Sequence, residues 1–198
     1  MAKGFRFLPL MIIPVFLFIS CETLSKQAEE DANGITEHYK SLENAIFQVA
    51  ISADFPERVS GYRVTYDYSK SADSTIKILE PLSVSDIVIK ISAGSTILEY
   101  DGARLETGEL NRAGVTPMSV LPCLVKAWAD GNISEIEAVN RNGTDALLIV
   151  YRSIIDDEEI VYRTWFDRAD YKPLYAELIA DGECKIRCTF ETIEFGKQ

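Results

Sequence analysis

Residues 164–195 read TWFDRADYKPLYAELIADGECKIRCTFETIEF. Three apolar-rich runs are separated by two breaks, "DRADYK" and Asp181-Gly182. Each break carries the residues that tight turns favour, and each run is short and rich in strand formers. Strand, turn, strand, turn, strand in immediate succession makes an antiparallel meander. The same grammar continues upstream. "ISEIEAVN" turns at Asn142-Gly143 into "DALLIVYRSII", and "DDEE" at 156–159 turns into "IVYRTWF".

The first half repeats the pattern. In "AIFQVAISADF", Phe47, Val49, Ile51, Ala53 and Phe55 share one face. In "GYRVTYDYS", Tyr62, Val64, Tyr66 and Tyr68 alternate with polar residues. A period of two argues for strands with one buried face and one wet face. "STIKILE", "DIVIKIS" and "STILEYDG" add further strands, and Asp101-Gly102 a tight turn. Two segments follow a helical period instead. Leu24, Ala28, Ala32, Ile35, Tyr39, Leu42 and Ile46 recur at spacings of three and four. Asn33-Gly34 breaks that pattern, so the helix is expected over 35–45, with residues 21–34 as a tether. A second helix is expected in "TPMSVLPCLVKAWADG". Thr116 caps it, Pro122 kinks it, and Gly131 ends it, with Val120, Leu121, Leu124, Val125 and Trp128 facing the sheet.

The N-terminus reads as a leader. Lys3 and Arg6 precede an apolar run from Phe7 to Ile19 that contains Pro9 and Pro14. The run is short of the roughly 20 apolar residues that cross a bilayer, and positive start plus short apolar middle is the form of a secretory signal. It ends at Phe18-Ile19-Ser20-Cys21. This tetrad resembles the bacterial lipobox, which implies cleavage after residue 20 and diacylglycerol on the Cys21 thiol. Two acyl chains give stable anchoring, so the protein is expected on the extracytoplasmic face of the cell membrane, held by lipid. The chain carries a formal charge of −11, and removing the cationic leader makes it more acidic still. Such a surface repels nucleic acid and anionic headgroups, so nucleic-acid binding is discounted.

Three cysteines follow Cys21. Cys184 and Cys188 lie four residues apart on one expected strand, about 13 Å, beyond disulfide reach. A bridge from Cys123 to either stays open. Catalytic signals are sparse. His38 is the single histidine, and neither a nucleophile elbow, a phosphate-cradling loop nor a zinc spacing occurs. "IDDEEI" lacks the alternating ligands of a calcium loop and reads as a solvated turn. No enzyme activity, metal or cofactor is expected.

Order and residues together resemble the LolA/LolB-like lipoprotein-carrier family. The likeness is carried by Trp165, Asp167, Pro173-Leu174, Ala176-Glu177, Phe190 and Phe195, with Pro81 and Tyr100-Asp101-Gly102 upstream. "TPMSVLPCLVKAW" looks more like anchored Gram-positive relatives such as the germination lipoprotein GerS. The resemblance implies an α+β fold over 35–198: an unclosed antiparallel β-barrel covered by helices. It also implies two functions to choose between. One is a barrel that takes an acyl chain or a lipoprotein. Its candidate lining residues are Val64, Tyr66, Ile78, Ile89, Leu98, Leu121, Trp128, Leu148 and Tyr162, unless these are core packed against the helices. The other is a lipoprotein that recruits an envelope protein partner, such as a cell-wall or spore-cortex hydrolase.

Overall fold

The computed structural model describes residues 19–55, 58–92, 95–108, 115–155 and 157–196, with side chains from residue 26 onward except 55–59. Most of the expected leader, the Cys21 side chain and Asp156 lie outside the described residues.

Among the described residues, eleven antiparallel strands form one sheet. They are β1 (Asn44–Phe55), β2 (Arg58–Ser69), β3 (Ser74–Glu80), β4 (Val88–Ser92), β5 (Ser95–Tyr100), β6 (Ala103–Gly108), β7 (Asn132–Arg141), β8 (Thr144–Ile155), β9 (Glu158–Asp167), β10 (Pro173–Ala180) and β11 (Glu183–Phe195). The order is β6-β5-β4-β3-β2-β1-β11-β10-β9-β8-β7. Among the described residues, only the β1–β11 pairing is long-range; every other neighbour is a sequence neighbour. Among them β6 and β7 form the two edges of the sheet, so the barrel is unclosed. Asp101-Gly102, Asn142-Gly143 and Asp181-Gly182 each hold two successive residues at positive φ. That geometry matches strand twist, which is why these dipeptides mark the hairpins so well. β6 carries no apolar alternation and is almost wholly exposed, so its sequence gives no strand signal.

Helix α1 (Ile19–Ser41) is longer than expected at its start and shorter at its end. It runs straight through Asn33-Gly34, and the segment expected as a tether is helical. Tertiary burial overrides the local cost of about 1 kcal/mol for a helical glycine. Ala28, Ala32, Ile35 and Tyr39 form a buried stripe against α2 (Val120–Asp130) and β7. Gly34 has a specific reason to be glycine: a Cβ there would lie 2.7 Å from the Tyr171 hydroxyl. The chain turns after Leu42, so Ile46 belongs to β1 and faces outward, 42% exposed. Helix α2 starts at Val120 rather than near Thr116. Residues 116–119 form a turn in which Ser119 Oγ accepts from the Thr116 N–H at 2.7 Å. Pro122 therefore falls in the first helical turn, where its missing N–H has no intrahelical acceptor to lose, and no kink is needed.

The two helices cover the concave face of the sheet. Phe47, Val49, Ile51, Val64, Tyr66, Ile76, Ile78, Ile89, Leu147, Ile149, Tyr162 and Phe166 meet Val120, Leu121, Leu124, Val125 and Trp128 in one continuous core. The expected class, an α+β unclosed antiparallel barrel covered by helices, is the observed one.

Candidate functional site

The space between helices and sheet divides into a filled centre and an open cleft. Trp128 organises the centre. Its ring lies 4.9 Å from Tyr39, 5.4 Å from Phe166, 5.7 Å from Phe190 and 6.3 Å from Phe47, centroid to centroid. Its Nε1–H donates to Thr164 Oγ1 at 2.9 Å, and both residues are fully buried. The tilted and edge-on ring pairs suit the aromatic quadrupoles.

The centre therefore contains most of the residues expected to line a ligand site. Val64, Tyr66, Ile78, Ile89, Leu121 and Trp128 are all buried core. Leu98 pairs with Ile89 on the same face but is half-exposed near the β6 edge. Leu148 is a correction. Leu147 and Ile149 belong to the core, so strand alternation turns Leu148 to the outer face, opposite Trp165. The run from Ala146 to Tyr151 is apolar on both faces and offers no polar phase from which to read the register.

The cleft lies between α2 and the β8–β9 hairpin, with a volume of about 420 Å³. Cys123, Ala127, Tyr151, Ile155 and Tyr162 give it an apolar side, while Lys126, Asp130, Asn132 and Arg152 give it a polar one. Of the nine expected lining residues, Tyr162 alone is on its wall. Tyr151 and Tyr162 are direct cross-strand partners on the core face. Burial pushes both phenol pKa values up, and the Tyr162 hydroxyl also meets the Cys123 thiol. The Tyr151 hydroxyl is buried and has no hydrogen-bond partner among the described residues. Tyr151 was legible in principle, as the one hydroxyl-bearing residue in the run "ALLIVY"; Cys123 and Ala127 gave no signal beyond helix periodicity.

Cys123, Cys184 and Cys188 are all thiols. Cys188 is buried in the core, whereas an irregularity in the β10–β11 register lies between the half-exposed Cys184 and Ile186. No bond joins these two, as strand spacing demanded.

His38 sits at the far end of α1, 4.6 Å from the Phe195 ring and 5.2 Å from Tyr39, with Nε2 buried and unpartnered. Burial lowers its pKa from 6.5, and Asp170 opposes the shift only in part. The folded chain thus releases this proton at a pH where the unfolded chain still binds it. Stability from this group is present above about pH 6.5 and is lost as pH falls through the lowered folded value. Urea midpoints should drop as pH falls below about 6.5, and His38→Gln should flatten that drop. An unchanged pH profile in the variant would show that His38 is not the titrating group.

Two turns back along α1, Arg168 ties the helix to the sheet. Its Nε donates to Asp31 Oδ2 at 2.8 Å and its Nη1 meets Asp145 at 3.2 Å. These contacts fix α1 across the mouth of the half-barrel.

No protein-family model matches the chain, and no curated protein resembles it in sequence. Solved structures do resemble it in fold. An uncharacterized conserved protein from Thermus thermophilus aligns over 87% of this chain and 89% of its own, at 10% identity and a TM-score of 0.52. The Mycobacterium tuberculosis lipoprotein LppX aligns over 84% and 94%, at 8% identity and a TM-score of 0.50. A LolA superfamily protein from Nitrosomonas europaea aligns over 88% and 94%, at 12% identity and a looser TM-score of 0.45. At such identities the first two likenesses speak for the fold and for nothing finer.

Proposed function

We propose that this chain is a non-enzymatic extracytoplasmic lipoprotein, anchored through acylated Cys21, whose half-barrel binds an acyl chain in the cleft between α2 and the β8–β9 hairpin. The bound chain belongs either to a free lipid or to the lipid of another lipoprotein; the cleft reads the hydrocarbon that both share. The observation that carries the reading is the cleft itself. Its volume of about 420 Å³ lies within the ~300–1,000 Å³ of small-molecule sites. Its wall of Cys123, Ala127, Tyr151, Ile155 and Tyr162 is apolar at depth, with polar groups at the rim. That a lipoprotein, LppX, builds the same fold agrees with an envelope location.

The test is a titration with a fluorescent fatty acid, cis-parinaric acid, on the wild type and two variants. Val64 is fully buried in the filled centre. Val64→Trp should cost about 1–3 kcal/mol of stability by overpacking. Fatty-acid affinity of its folded fraction should be unchanged. Ala127→Trp, which projects into the cleft, should abolish saturable binding. No saturable binding by the wild type would reject the reading.

A second reading has its own observation. The Trp128 cluster packs the centre of the half-barrel with aromatic rings. That favours a filled scaffold whose surface recruits an envelope hydrolase, as in the GerS-like alternative. A wild type that binds no fatty acid but is co-purified with a wall hydrolase after in-cell crosslinking would support it.

A further inference from the structure

Both faces of the sheet carry a pattern that stops unfinished at β6. On the concave face an apolar row crosses the strands: Ile76 of β3 pairs with Ile89 of β4, Ile89 with Leu98 of β5, and Leu98 with Leu105 of β6. Ile76 and Ile89 are buried, Leu98 is half-exposed, and Leu105 is 60% exposed. On the convex face charges alternate in sign. Lys90 Nζ meets Glu99 at 2.9 Å, and Arg104 Nε meets the same carboxylate at 3.2 Å. Glu106 comes next on that face; it accepts from the Ser95 hydroxyl at 3.0 Å and makes no ion pair among the described residues. The backbone of β6 is open too, since no strand lies on its outer side among those residues. Tyr100 and Ala103 close the hairpin around Asp101-Gly102, and the pair that closes a two-residue turn exchanges both its hydrogen bonds. Bonded and non-bonded pairs alternate along a ladder. Leu105 therefore directs its N–H and C=O to β5, whereas Arg104 and Glu106 direct theirs outward.

We propose that a second copy of this chain pairs along β6, antiparallel and in a register centred on Leu105. In that register the outward backbone groups of Arg104 meet those of the copy's Glu106, and the two-fold axis repeats the match. The side chains agree with the backbone. Arg104 faces the opposite charge of the copy's Glu106 on the convex face, twice, and Leu105 meets its own counterpart on the concave face. That central pair is a non-hydrogen-bonded one, in which side chains stand closest. Charges on an edge strand ordinarily keep other strands away. Here they have opposite signs and flank the centre symmetrically, so an antiparallel copy is attracted, while an in-register parallel copy sets Arg104 against Arg104. Opposite charges directly across a strand pair stabilise it and like charges oppose it. The apolar row and the charge ladder both run on into the copy, and the contact closes as a two-fold dimer. A strip of six residues makes it a weak, concentration-dependent contact. It is independent of the acyl-chain reading, because β6 lies at the other end of the sheet order from β8 and β9.

The test traps the weak pair as a disulfide, using the purified full chain in detergent micelles that greatly outnumber it. In the paired register the two Leu105 Cα atoms stand about 4.5 Å apart, within the span that a disulfide bridges. Thr107 lies on the same face of β6, but its two copies are offset by four positions, about 13 Å. Leu105→Cys should therefore oxidise to a covalent dimer about tenfold faster than Thr107→Cys or more, with the wild type and its own cysteines as background. Added to Leu105→Cys, either Arg104→Glu or Glu106→Arg should slow dimer formation by about tenfold. Mixing these two charge variants in equal amounts should restore the rate, because each supplies the charge that the other lacks. Recovery on mixing also excludes misfolding as the cause of the slowing. No dimer from Leu105→Cys, or equal rates at positions 105 and 107, would overturn the pairing. Charge variants that dimerise as fast as Leu105→Cys alone, or a mixture no faster than either, would overturn the register.

Discussion

Trp128→Ala should cost the fold about 3–5 kcal/mol, read from urea unfolding. The indole is fully buried and touches rings from α1, β1, β9 and β11. Truncation removes that apolar area and leaves a cavity that rings on three sides cannot close together. It also strands the Thr164 hydroxyl, which is fully buried and accepts from Nε1–H. Trp128→Phe separates the two contributions: most of the ring stays, the hydrogen bond goes, and a loss of about 1–3 kcal/mol is expected. A loss under about 1 kcal/mol for Trp128→Ala would mean that the centre is loosely packed. The distinction between filled centre and open cleft would then fail.

Cys21→Ala should abolish lipid attachment and release the protein from the membrane. Each buried CH₂ of an attached chain contributes about 0.8 kcal/mol, so two chains would give stable anchoring. Among the described residues no helix is long and apolar enough to cross a membrane, and the acidic surface does not favour anionic headgroups. Metabolic labelling with a fatty-acid analogue, followed by membrane fractionation, reads the effect. Label retained on the variant would refute acylation at Cys21.

The fold was legible because its signals are local. Alternation in β1 and β2 and the Asx-Gly dipeptides at 101, 142 and 181 each act over a few residues, and hairpins join neighbours in sequence. Where sequence and structure part, a non-local term decides. α1 continues through Asn33-Gly34 because Ala28 and Ala32 find a surface to cover, and no short window reveals that surface. Leu148 turns outward against expectation because β8 is apolar on both faces. The site was the least legible part. Val64, Tyr66, Leu121 and Trp128 have the apolar character of a ligand wall and of a core alike, and only the packing of α2 tells which they are. The cleft arises where α2 stands off the β8–β9 hairpin, a separation that depends on how the whole helix seats.

The most direct test of the central claim is to locate a bound chain. Crystals of the protein with a terminally brominated fatty acid give an anomalous signal that marks the chain end. The bromine is expected between Ala127 of α2 and Tyr162 of β9, within the cleft. Bromine confined to the outer face of the sheet, or absent from an otherwise ordered crystal, would contradict the account.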